Sequence, residues 1–219
     1  MRLVAATLIV AIGLTPTLAS DDSWLAWSAD RAQAIGKAAR VTGRVGGYFD
    51  TRILSTNSSY NYKLAATWLN PEVVRAAARL AQITDRLTPA EAKRLVEEAE
   101  AVDGTVVMVE IDPREGSGVI PNDWLAVLQP IASNGQQGAP VKGRLEQSLQ
   151  NKRALSGTVK RNYDYDRFWL VFPTKHEDGT PLVSVQSTQL ELVVRIAGKE
   201  GRVKWPISES ARALVGLTP

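Results

Sequence analysis

Asn70-Pro-Glu-Val-Val-Arg-Ala-Ala-Ala-Arg-Leu-Ala-Gln-Ile83 and Thr88-Pro-Ala-Glu-Ala-Lys-Arg-Leu-Val-Glu-Glu-Ala-Glu-Ala-Val102 carry their own helix-start signals. Asn70 places a capping side chain ahead of a proline at the first helical position. Thr88-Pro-Ala-Glu91 is a capping box with the same proline. The first segment has polar residues only at Glu72, Arg75, Arg79 and Gln82, a single narrow stripe. A helix so short of polar surface is expected to be covered on two sides, here by the second helix and by a sheet. The second segment is ordinarily amphipathic, with Ala92, Leu95, Val96, Ala99 and Val102 on one stripe. Lys93–Glu97 and Arg94–Glu98 are i,i+4 neighbours outside it.

Upstream, Gly43-Arg-Val-Gly-Gly-Tyr-Phe-Asp-Thr-Arg-Ile53 alternates as a strand, with Val41, Val45, Phe49, Thr51 and Ile53 on one face. Glycines 43, 46 and 47 mark a bulge or a close backbone approach. They are no dinucleotide fingerprint, because they do not open a helix. Downstream the chain reads as strands and turns: Thr105–Ile111, then Trp124–Leu128 stopped at Pro130, then Val141–Leu149 and Ser156–Lys160. Arg167–Phe172, apolar on both faces, reads as a central strand. Gln189–Ile196 and Arg202–Trp205 flank Gly198–Gly201 as a hairpin. Short strands at regular spacing argue for a mainly β, α+β fold: an antiparallel β-sandwich with a helical hairpin, 70–103, inserted after the first strand. The sandwich spans 41–206, preceded by a lead-in over 20–40 and followed by a tail or short helix over 207–219. The lead-in is alanine-rich, with Leu25, Ala29, Ala32 and Ile35 at helical spacing, and Trp24 and Trp27 are expected to dock on the body.

Residues 1–19 have the pattern of a secretory signal peptide: Arg2, an apolar run from Leu3 to Leu14, and small residues at Thr17 and Ala19. The run is shorter than the ~20 residues a bilayer requires, so no stable membrane anchor is expected after cleavage. The absence of cysteine excludes disulfides and a lipidated cysteine, which favours a bacterial periplasmic or extracellular setting. The charges, 26 basic against 23 acidic, are interspersed, and nucleic acid is not an expected partner.

Several of these segments together resemble a group of uncharacterised bacterial exported proteins, a domain of unknown function. They are Phe49-Asp-Thr-Arg-Ile53, the helical pair, Val106-Val-Met-Val-Glu-Ile111, Phe168-Trp-Leu-Val-Phe-Pro173, Leu192-Val-Val-Arg-Ile196 and Gly201-Arg-Val-Lys-Trp205. The resemblance implies an exported bacterial domain and carries no activity or catalytic residue with it.

The residues limit the chemistry. His176 is the sole histidine and lies in the charged turn Thr174-Lys-His-Glu-Asp-Gly-Thr180, so neither a serine triad nor a zinc site is supplied. No cofactor is implied. Carboxylates two apart, Glu110/Asp112 and Asp164/Asp166, with Asp123 nearby, leave a carboxylate-based hydrolase or a calcium site formally open. The sharper pattern is aromatic. Tyr163, Tyr165, Arg167 and Trp169 share one face of an extended segment, and Asp164, Asp166, Phe168 and Leu170 share the other. Tyr163, Asp164, Tyr165, Asp166 and Arg167 form the candidate ligand-binding set, suited to stacking on a saccharide or gripping an envelope protein, with Trp169 turned into the core. The expected function is that of an exported, non-catalytic binding protein, with a hydrolase as the alternative.

Overall fold

The computed structural model describes residues 22–45, 62–113, 120–158, 165–196 and 198–214. The leader, Tyr163 and Asp164 lie outside that set, as does all of the first expected strand beyond Val45. Two antiparallel sheets form a sandwich, and helices cover the outer face of one of them. Sheet A has the order β1(Arg44–Val45)-β2(Tyr62–Trp68)-β3(Thr105–Pro113)-β7(Asp166–Phe172)-β6(Arg144–Leu145). Sheet B has the order β5(Val141–Lys142)-β4(Leu125–Ala132)-β8(Ser187–Ile196)-β9(Lys199–Pro206). The helices are α1(Ala29–Thr42), α2(Pro71–Asp85), α3(Pro89–Glu100) and α4(Glu209–Leu214). Among the described residues no helix is long and apolar enough to cross a membrane.

Sheet A separates two hydrophobic cores, and β7 shows why its sequence is apolar on both faces from Phe168 onward. Leu170 and Phe172 point into the core between the sheets, beside Val107, Val109 and Ile111 of β3. Trp169 and Val171 point the other way, into a core shared with Val73, Val74 and Ala78 of α2 and Ala92, Val96 and Ala99 of α3. Trp169 is buried there, and its indole N–H donates to the Leu155 carbonyl at 2.8 Å. The expected burial of α2 between α3 and a sheet is what the structure has.

Both helix starts are built as expected. The Asn70 side chain accepts from the Val73 N–H at 3.0 Å, and Thr88 and Glu91 close the capping box. That box holds the Glu91 carboxyl below its ordinary range, first through the Thr88 backbone N–H and then through the Thr88 hydroxyl.

Other expectations are corrected. Most of the polar stripe of α2 does not face solvent: Glu72 in the first turn is exposed, but Arg75 and Arg79 are half-buried. The N-terminal segment lies over it, so Gln82 is buried, the Arg79 guanidinium donates to the Trp27 carbonyl at 2.7 Å, and Ile83 is exposed instead. Here the stripe marks the contact of α2 with the segment leading into α1, closed by the Arg79–Trp27 hydrogen bond. Val41 and Thr42 belong to α1, not to a strand; Val41 is 62% exposed. The helical pair joins β2 to β3, adjacent strands, and β2 carried no strand signal in the sequence.

Pro130 does not stop β4. Its carbonyl accepts from Gly138 rather than from β8, so its ring nitrogen also faces the loop side, where no ladder bond is lost. Val141–Leu149 is not one strand. β5 pairs with β4 in sheet B, β6 pairs with β7 in sheet A, and Gln147–Asn151 is a 3-10 turn. Residues 156–158 form no strand, and 159–160 lie outside the described residues.

Candidate functional site

The chemistry expected at the start of β7 resolves into an ion pair. Glu110 stands opposite Arg167 in the β3–β7 register, on the face that carries the helices. One carboxylate oxygen of Glu110 accepts from Arg167 Nε at 2.9 Å, and the other accepts from Arg40 Nε, at the end of α1, also at 2.9 Å. The carboxylate is 1% exposed, and the Arg40 and Arg167 side chains are 19% and 10% exposed. Asp112, next on the same face, pairs with Lys63 across the β2–β3 register at 3.2 Å. The Glu110/Asp112 pair is thus committed to cations. Tyr165 is half-buried and Asp166 and Asp123 are exposed. Among the described residues no group of three His, Asp or Glu side chains is placed to hold a metal ion. His176 is half-buried in its turn, where its backbone N–H donates to the Thr180 carbonyl at 2.8 Å.

A second buried carboxylate, Glu191, lies on the outer face of sheet B and is likewise 1% exposed. It accepts from Gln129 at 2.6 Å, Gln137 at 3.1 Å and Arg202 at 3.2 Å. Arg202 and Arg195 also donate to Glu200, and these bonds, Arg195's first, hold the Glu200 carboxyl below its ordinary range. All three bonds fall on one carboxylate oxygen, and the other faces Lys204 Nζ at 3.7 Å, so this carboxylate is committed to its neighbours.

The open seat is elsewhere, past the rim of sheet A where β2 ends and β3 begins. A cavity of about 410 Å³ lies there. Sheet A separates the two cores along its length, but at this rim their walls converge. Trp68, Leu69, and Pro71 and Val74 of α2 line it together with Ala99 to Thr105, of which Glu100, Ala101 and Asp103 are exposed and mark its mouth. Leu182, Val183, Leu190, Ile207 and Ala211 bring side chains from sheet B, its connecting turn and α4. Trp68 is fixed by its indole N–H, which donates to Thr105 Oγ1 at 2.8 Å, and its ring lies 6.3 Å from that of Trp205. Gly104, at φ 134°, makes the turn into β3; a Cβ there would stand 2.6 Å from the Phe172 carbonyl oxygen.

The polar part of the lining is acidic or neutral: Glu100, Asp103, Thr105 and Thr174, with no Lys, Arg or His among the described residues. The site is not legible in the sequence, because widely separated segments between Trp68 and Ala211 build it. Its one local signal is Trp68-Leu69, an apolar pair set directly before the Asn70 cap. No protein-family model matches the chain, and no curated protein or solved structure is detectably similar to it.

Proposed function

We propose that this chain is an exported, non-catalytic binding protein of the bacterial cell envelope, and that its ligand is a small, largely apolar molecule held in the cavity beyond the rim of sheet A. The observation that carries the binding reading is the cavity itself. At about 410 Å³ it falls in the size range of small-molecule sites, and its walls are mostly apolar with a few polar groups at the mouth. The aromatic segment before β7 supports the reading less well, since the Arg167 guanidinium is engaged by Glu110. The same engagement of Glu110 and Asp112 leaves the hydrolase alternative without a specific observation in its favour.

The test is uptake of N-phenyl-1-naphthylamine, a neutral apolar dye that fluoresces on leaving water. Ala101 lines the mouth, is exposed, and has helical backbone angles of φ −71° and ψ −6°, which a tryptophan tolerates. Ala101→Trp is expected to weaken uptake by about tenfold or more, on the order of the binding energy of a few displaced methylene contacts. Ala90→Trp, at the far end of α3, is expected to change nothing. Equal uptake by both variants would place the dye elsewhere and remove the cavity from the reading.

Export rests on the leader pattern of residues 1–19. Intact-mass measurement of the envelope fraction is expected to give a chain starting at or near Ser20. Full-length protein recovered from membranes would refute that part of the proposal.

A further inference from the structure

The mouth of the cavity carries a charge arrangement that narrows the ligand class. α3 ends at Glu100, and residues 99–104 at its C-terminus form part of the lining. A helix C-terminus concentrates partial negative charge on its free carbonyls and favours cations. This one has no basic residue in its last turn and carries Glu100 and, just beyond, Asp103. Both carboxylates are exposed, and among the described residues neither has an ion-pair partner. For the helix alone these are unfavourable positions for negative charge. Arg212 of α4 is bonded to the carbonyls of Val185 and Ser187 and is not paired with either carboxylate.

Negative potential from three sources therefore converges on the entrance to an apolar hollow. We infer that the ligand is an amphipathic cation: an apolar body seated against Trp68, Val74 and Leu190, with an ammonium or amidinium head held at the mouth by Glu100, Asp103 and the carbonyl end of α3. Uptake of a cation costs least where its charge stays at a wet rim and only its apolar part is buried. The cavity offers that division.

This inference rests on the cavity being the binding seat, and the experiment separates the two. Octyltrimethylammonium and octyl sulfate, equal in tail and opposite in charge, compete with N-phenyl-1-naphthylamine on the full-length mature protein below their micelle concentrations. The cation is expected to displace the dye at about tenfold lower concentration than the anion at low salt. That advantage should shrink as salt is raised. In the double variant Glu100→Lys, Asp103→Lys the preference between the two competitors, each measured against that variant's own dye affinity, is expected to reverse. The substituted lysines suit a helix C-terminus, so the fold should be retained. Dye uptake sensitive to Ala101→Trp with no preference between the two competitors overturns the cation inference and leaves the cavity standing. Absence of cavity-dependent uptake overturns both.

Discussion

Glu110→Ala is expected to cost about 3 kcal/mol or more, and to lower the melting temperature by on the order of 10 °C. The wild-type carboxylate is 1% exposed and accepts one guanidinium on each oxygen, Arg40 at 2.9 Å and Arg167 at 2.9 Å. Its removal takes from Arg40 the partner that accepts it, and from Arg167 one of its contacts, at side chains that water reaches poorly. The cost arises mainly from cations left with fewer partners away from water and less from lost attraction, since a buried pair contributes little net stability against an apolar replacement. Two further variants separate these contributions. Arg40→Ala made on top of Glu110→Ala should cost less than Arg40→Ala alone. Replacing Arg40, Glu110 and Arg167 together by leucine or methionine should recover much of the loss. Urea denaturation midpoints measure all of them. A Glu110→Ala protein within about 1 kcal/mol of wild type would show that the triad does not hold α1 to sheet A.

That triad also marks where the sequence stops being readable. The signals that act within a few residues were legible: the Asn70 cap, the Thr88–Glu91 box, the doubly apolar β7 and the β8–β9 hairpin all stand in the structure. Each is decided by a neighbour close in sequence or by a face periodicity. β2 was not legible. Leu64 to Trp68 is buried throughout, so nothing alternates, and two alanines dilute the β-branched signal. The polar stripe of α2 looked solvent-facing because sequence cannot say that Trp27 offers a carbonyl to Arg79 across 52 positions. Arg167 looked like a ligand contact for the same reason. Its partner, Glu110, is set by the register of two strands far apart in the chain. The cavity is the extreme case. It lies where β2 ends at Trp68 and β3 begins at Thr105, and side chains from both helices of the pair, sheet B and α4 meet there.

Gly43→Ala is the second change expected to be severe, at about 3 kcal/mol, the upper end of overpacking costs. The close backbone approach expected of the early glycines is found at this one. A Cβ on Gly43 would stand 1.5 Å from the carbonyl oxygen of Ala66 in β2, and a backbone atom in mid-sheet cannot swing aside as a long side chain can. Conformation is not the reason, because Gly43 has φ −89°, which alanine adopts freely. The glycine closes α1 by donating to Ala39 O at 3.2 Å and starts sheet A by accepting from Ala66 N–H at 2.8 Å. Relieving the clash must separate the end of α1 from β2. Arg40 lies three residues earlier, so the same movement draws it away from Glu110. The two effects should therefore couple. Gly43→Ala combined with Arg40→Ala is expected to cost clearly less than the two single losses added together. Arg44→Ala, one position on and exposed, is expected to stay within about 0.5 kcal/mol of wild type. Additive losses in the cycle would mean that the Gly43 junction and the Arg40–Glu110 pair hold α1 independently of each other.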